Sequence, residues 1–115
     1  MIHSHDCLFH LIVEGDVGTN SSKKGWKQDL ERELSQVPPS LTFGRKLAVR
    51  AEFFLSPTRV NGNKLDCDNL AKPLLDAIKN AGLVHDDSLI YDLHVTKHTT
   101  TADEHLVLTV LEWLV

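Results

Sequence analysis

Residues 64–84 run KLDCDNLAKPLLDAIKNAGLV, an acidic start leading into one amphipathic period. Leu70, Leu74, Ala77, Ile78 and Ala81 recur at helical spacing, and Gly82 follows as a residue suited to a left-handed helix end. The spacing predicts a helix over about residues 69–81, with Asp68 as its N-cap. Pro73 falls near the end of the first turn and removes one backbone hydrogen bond, so a slight kink or a later start is expected. Upstream lies a polar loop, residues 56–64, carrying Pro57 and Asn61-Gly62-Asn63, and before it the strand formers of residues 46–55, KLAVRAEFFL. Downstream, residues 88–97 and 105–113 read as two more strands, joined by a threonine-rich turn into an antiparallel hairpin.

The rest of the chain adds one strand and one helix. Residues 7–13, CLFHLIV, are a short apolar run ending at Glu14-Gly15-Asp16, as a buried strand and its turn would. A helix then fits residues 22–36, with Trp26, Leu30, Leu34 and Val37 on one stripe, Ser21 or Ser22 as cap, and Pro38-Pro39 as its stop. Trp26 and Trp113 are both expected to face the core. The order is βαβαββ: an α+β fold in a single domain spanning residues 1–115, one mixed sheet with two helices packed on it.

Composition narrows the class. Of 115 residues, 42% are hydrophobic and 24% charged, the balance of a soluble globular domain. No apolar run approaches the length that spans a bilayer, and no basic-then-apolar leader opens the sequence, so no membrane partner is expected. Two cysteines, Cys7 and Cys67, form no CxxC pair and read as free thiols in a reducing, cytoplasmic setting. The net charge of −4 is unusual for a protein that binds phosphate backbones, which are normally met by a basic surface. Four of the sixteen acids are Asp66, Asp68, Asp86 and Asp87, where a divalent ion would invert the local charge. The bases cluster as Lys23, Lys24 and Lys27, as Arg45, Lys46 and Arg50, and as Arg59 and Lys64.

Asp66 and Asp68 flank Cys67, and residues two apart in an extended segment point to one side. Lys72 lies one helical turn beyond Asp68, and Asp86-Asp87 follows the helix. Three hard oxygen ligands suit Mg²⁺, with Mn²⁺ as a substitute, and a lysine beside them can stabilise charge on a phosphoryl group. Each piece also has a plainer reading. A lone DxD is more often a turn or a cap, Asp86-Asp87 a solvated turn, Lys72 the i,i+4 partner of Asp76, and Cys67 packing. His3, His5, Asp6 and His10 lack a second cluster to complete a four-ligand site. His85, beside the second acidic pair, reads as a phosphate contact, a support for the acids, or an ordinary loop histidine.

The run Asp66-Cys67-Asp68-Asn69-Leu70-Ala71-Lys72, continued by Asp76-Ala77-Ile78, Ala81-Gly82 and Asp86-Asp87, resembles the signature of the RusA-type Holliday-junction resolvases. The resemblance implies that Asp66, Asp68 and Asp87 are metal ligands and that Lys72 is the catalytic lysine; Asp86 reads as their support or as an alternative ligand. It implies a Mg²⁺-dependent endodeoxyribonuclease acting as a homodimer on branched DNA in recombination and repair, each subunit cutting one strand. Lys23, Lys24, Lys27, Arg59 and Lys64 are the candidate DNA contacts. The loop over residues 14–20 is shorter than the family pattern and acidic at its start. The alternative is a non-catalytic nucleic-acid-binding or protein-interaction module that keeps the fold.

Overall fold

Each apolar period in the chain becomes an element. The computed structural model describes residues 6–19, 23, 25–61 and 65–114. In chain order they form β1 (Cys7–Glu14), α1 (Gly25–Leu34), β2 (Leu47–Leu55), α2 (Cys67–Asn80), β3 (Ile90–Thr99) and β4 (His105–Glu112). Short 3₁₀ turns at Pro39–Leu41 and Asp87–Leu89 precede β2 and β3. The βαβαββ order agrees with the sequence reading.

β2 sets the layers. Leu47, Val49, Ala51, Phe53 and Leu55 are buried while Arg50 and Glu52 are exposed, the period of two expected when one face of a sheet is covered. Leu106, Leu108 and Val110 of β4 bury the same face. Trp26, Leu30 and Leu34 of α1 and Leu70, Leu74, Ala77 and Ile78 of α2 join these residues in one core cluster. α1 is shorter than its apolar stripe, because Val37 is buried beyond the helix end. Its expected caps, Ser21 and Ser22, lie outside the described residues.

α2 begins at Cys67, two residues earlier than expected, so Asp68 sits in the first turn and Asp66 takes the N-cap position with no side-chain cap bond. The helix runs through Pro73, whose missing N–H leaves the Asn69 carbonyl without its usual donor. Burial of Pro73 against the core, with Leu70 and Leu74 on the same stripe, offsets that loss. Gly82 ends the helix as anticipated, at φ +79°, with its N–H on the Lys79 carbonyl and that of Leu83 on the Ile78 carbonyl.

The expected β3–β4 hairpin does not form. The sheet order is β1-β4-β2-β3: β3 pairs with β2 in parallel, and β4 lies between β1 and β2, antiparallel to both. Residues 100–104 therefore cross the end of β2, where the Thr100 N–H binds the Leu55 carbonyl at 2.8 Å. Burial explains the choice. HLVLTVLE carries three fully buried apolar residues and suits the interior, whereas IYDLHVTKHT is partly exposed throughout and suits an edge. Trp113 is likewise not a core residue; it is partly exposed at the sheet end, its ring 6.3 Å from that of Tyr91. No helix among the described residues is long and apolar enough to cross a membrane.

Candidate active site

Asp66 is exposed at the start of α2 with extended backbone, φ −70° and ψ 154°, and Asp68 is exposed in the first helical turn. Because Asp68 is already helical, the same-side argument for an extended pair does not apply. What the two share is a helix N-terminus, which favours negative charge and leaves both carboxylates facing solvent. Lys72 follows one turn later, its Nζ 3.4 Å from the Asn69 Oδ1. It does not pair with Asp76, whose Oδ2 lies instead 3.7 Å from Lys27 Nζ. The amine of Lys72 is thus held toward the N-terminal end of the helix by Asn69 and not drawn to Asp76. Cys67 is partly buried and, like Cys7, a free thiol.

At the other end of α2, the Asp86 Oδ1 accepts from the Ser88 N–H at 3.2 Å and so caps the turn that begins with Asp87. Asp87 is exposed there. His85 is exposed as well and lines a small cleft with Phe43, Gly44, Gly82 and Leu89.

The parallel pairing of β2 with β3 fixes how these groups relate. Two parallel strands start at one end of a sheet, so the helix between them must run back the whole way. Asp66 and Asp68 stand where β2 ends; Asp86 and Asp87 stand where β3 begins, opposite Leu47. The fourteen residues of α2 separate them by about 20 Å at ~1.5 Å per residue. Accordingly, no three His, Cys, Asp or Glu side chains among the described residues converge as a metal-binding group. The donors fit a hard cation in kind, but one chain does not assemble all three. His10, the described histidine of the N-terminal set, is 2.9 Å from the Thr109 hydroxyl; His3 and His5 lie outside the described residues.

The candidate DNA-contacting bases fall into separate situations. Lys23 is exposed at the mouth of an open cleft of about 540 Å³ shared with Glu14, Asp16, Arg59, Asp103 and Glu104. Arg59 is turned inward: it pairs with Glu104 and donates to the Val17 carbonyl at 2.9 Å. The other Glu104 oxygen accepts the Ser56 N–H at 2.8 Å, so this pair ties the turn leaving β2 to the loops after β1 and before β4. Lys97 Nζ adds a bond to the Val60 carbonyl at 2.8 Å. Lys24 and Lys64 lie outside the described residues. Glu104 was not legible as a partner, since 45 residues separate it from Arg59 and no local pattern joins them.

No curated protein matches the chain at a significant level. The family model described as endodeoxyribonuclease RusA matches residues 13–110, a span that includes both acidic pairs, Lys72 and the full set of elements from α1 to β3. On that match, which covers most of the chain, the protein belongs to the RusA endodeoxyribonuclease family.

Proposed function

We propose that the protein is a Mg²⁺-dependent, structure-selective endodeoxyribonuclease that resolves four-way DNA junctions in recombination and repair, working in the cytoplasm as a homodimer. The observation that carries this reading is the N-terminus of α2 in a RusA-family chain: Asp66 and Asp68 exposed and without an ion pair among the described residues, with Lys72 one turn on and not bound to Asp76.

The separation of the acids supports the dimer. If Asp66, Asp68 and Asp87 share one cation, the set closes only when the β2-end of one copy meets the β3-start of another, and a two-fold axis then makes two equal sites. A Mg²⁺ held there would supply water activation and neutralise charge building on the phosphoryl oxygens, with Mn²⁺ as a substitute. The chain's own groups do the rest. The Lys72 ammonium holds a phosphate oxygen or the leaving oxygen; Asp86, by capping its turn, keeps Asp87 presented; His85 stands beside the same phosphate. Lys23 and Lys27, with Lys24 and Lys64, meet the DNA backbone, while Arg59 acts indirectly by holding the loop that leads to Asp66.

The test is cleavage of a labelled four-way junction and of its linear duplex, with Mg²⁺ or chelator, by wild type and Asp68→Asn. Paired, metal-dependent cuts on the junction alone, lost in the variant, are expected. Retained cutting by Asp68→Asn would refute the site. Tight junction binding without any cutting would instead identify a binding module.

A further inference from the structure

Phe43 has no place in the core and none in the acidic set, yet it is the most exposed large apolar side chain among the described residues, at 80%. Its position is fixed by the residues around it. Thr42, just before it, is 2% exposed and donates its hydroxyl to the Leu83 carbonyl at 2.6 Å. The Phe43 N–H binds the Pro39 carbonyl at 2.9 Å, the Arg45 N–H binds the Thr42 carbonyl at 3.1 Å, and Gly44 turns the chain at φ +74°. The ring is thus held out into water from an anchored turn.

The cleft it lines is mixed: Leu83, Val84 and Leu89 are apolar, Thr42 and His85 polar. Phe43 and His85 line the same cleft, so the ring stands beside the loop that carries Asp86 and Asp87. Three residues on, Lys46 places its amine 5.1 Å from the centroid of the Tyr91 ring and makes no ion pair among the described residues. A projecting aromatic next to an unpaired cation is the pairing that meets a nucleobase and its phosphate. Leu41 of the same turn is 37% exposed, and Tyr91, under Lys46, is 52% exposed and offers a second ring beside the same cation.

We infer that Phe43 stacks on a nucleobase at the branch point, beside the phosphate that is cut, with Lys46 on an adjoining phosphate. This inference rests on the nuclease reading and deepens it by supplying a source of junction preference. Where the branch opens, the base pairs that border it lack a stacked neighbour on one side, so a ring reaches a base face there at less cost than in linear duplex, where bases must first be unstacked.

The experiment uses junctions and matching duplexes carrying 2-aminopurine at positions flanking the branch, with Ca²⁺ in place of Mg²⁺ to hold the complex uncut. Wild type is expected to change the fluorescence at one branch position. Phe43→Ala should lose that change and about tenfold in junction affinity, with duplex affinity unchanged; Phe43→Trp should restore both. Wild-type fluorescence and junction affinity in Phe43→Ala would overturn the inference while leaving the nuclease intact. So would dissociation of Phe43→Ala into monomers by sedimentation, which would place the ring between copies. A wild type that neither binds nor cuts the junction would overturn the nuclease reading itself.

Discussion

Mixing two inactive variants tests whether the acids are shared between subunits. Asp68→Asn removes an acid at the N-terminus of α2, and Asp87→Asn removes one beyond its C-terminus, about 20 Å away along the helix. Both positions are exposed, so neither change should disturb the core. In a two-fold dimer whose sites each take Asp66 and Asp68 from one chain and Asp87 from the other, a mixed dimer concentrates both lesions in one site and leaves the second intact. Random exchange of equal amounts makes about half of the dimers mixed, each with one working site of two, so about a quarter of wild-type sites return. Each variant alone should cut at background. The mixture should nick one strand of a labelled junction at about a quarter of the wild-type rate without cutting both strands in one encounter. Subunit exchange is verified in parallel with tagged chains. If exchange is complete and the mixture stays as inactive as either variant, each site is built within one chain, and the dimer argument fails.

Three further outcomes follow from the packing. Gly82→Ala meets nothing within 4 Å, so its cost is purely that of a left-handed backbone, φ +79°, and urea unfolding should show a loss of about 1–2 kcal/mol with an unchanged slope. Arg59→Ala leaves Glu104 largely buried without its partner and the Val17 carbonyl without a donor; a loss of about 1–3 kcal/mol is expected, and a change below 0.5 kcal/mol would show that the tie between these loops contributes nothing. Lys23→Ala makes no such loss, because the side chain is exposed, but it should reduce the salt slope of junction binding by about one; an unchanged slope removes Lys23 from the DNA footprint.

How far the sequence reaches depends on the range of the interaction being read. The stripes of α1 and α2, the stop at Pro38-Pro39, the end at Gly82 and the alternation of β2 are all local, and the element order follows from them. The acidic run with Lys72 was legible for the same reason, since a motif that starts a helix is contiguous. One local detail differs. An aspartate before an apolar stripe has the look of a cap, but the helix starts two residues earlier, at Cys67, and draws Asp68 inside its first turn.

Which strand lies beside which is settled by packing across the whole sheet. Residues 88–97 and 105–113 follow one another, and nothing in either names a partner across the sheet. β4 goes to the interior because Leu106, Leu108 and Val110 can be fully buried only between two neighbours, and β3, partly polar on both faces, is left at the edge beside β2. That choice makes the β2–β3 pair parallel, sends α2 back along the whole sheet, and sets Asp87 at the far end from Asp66 and Asp68. The chemistry was written in the residue types, which are fixed one position at a time. Their distances were not, because strand pairing is settled by burial summed over the whole core.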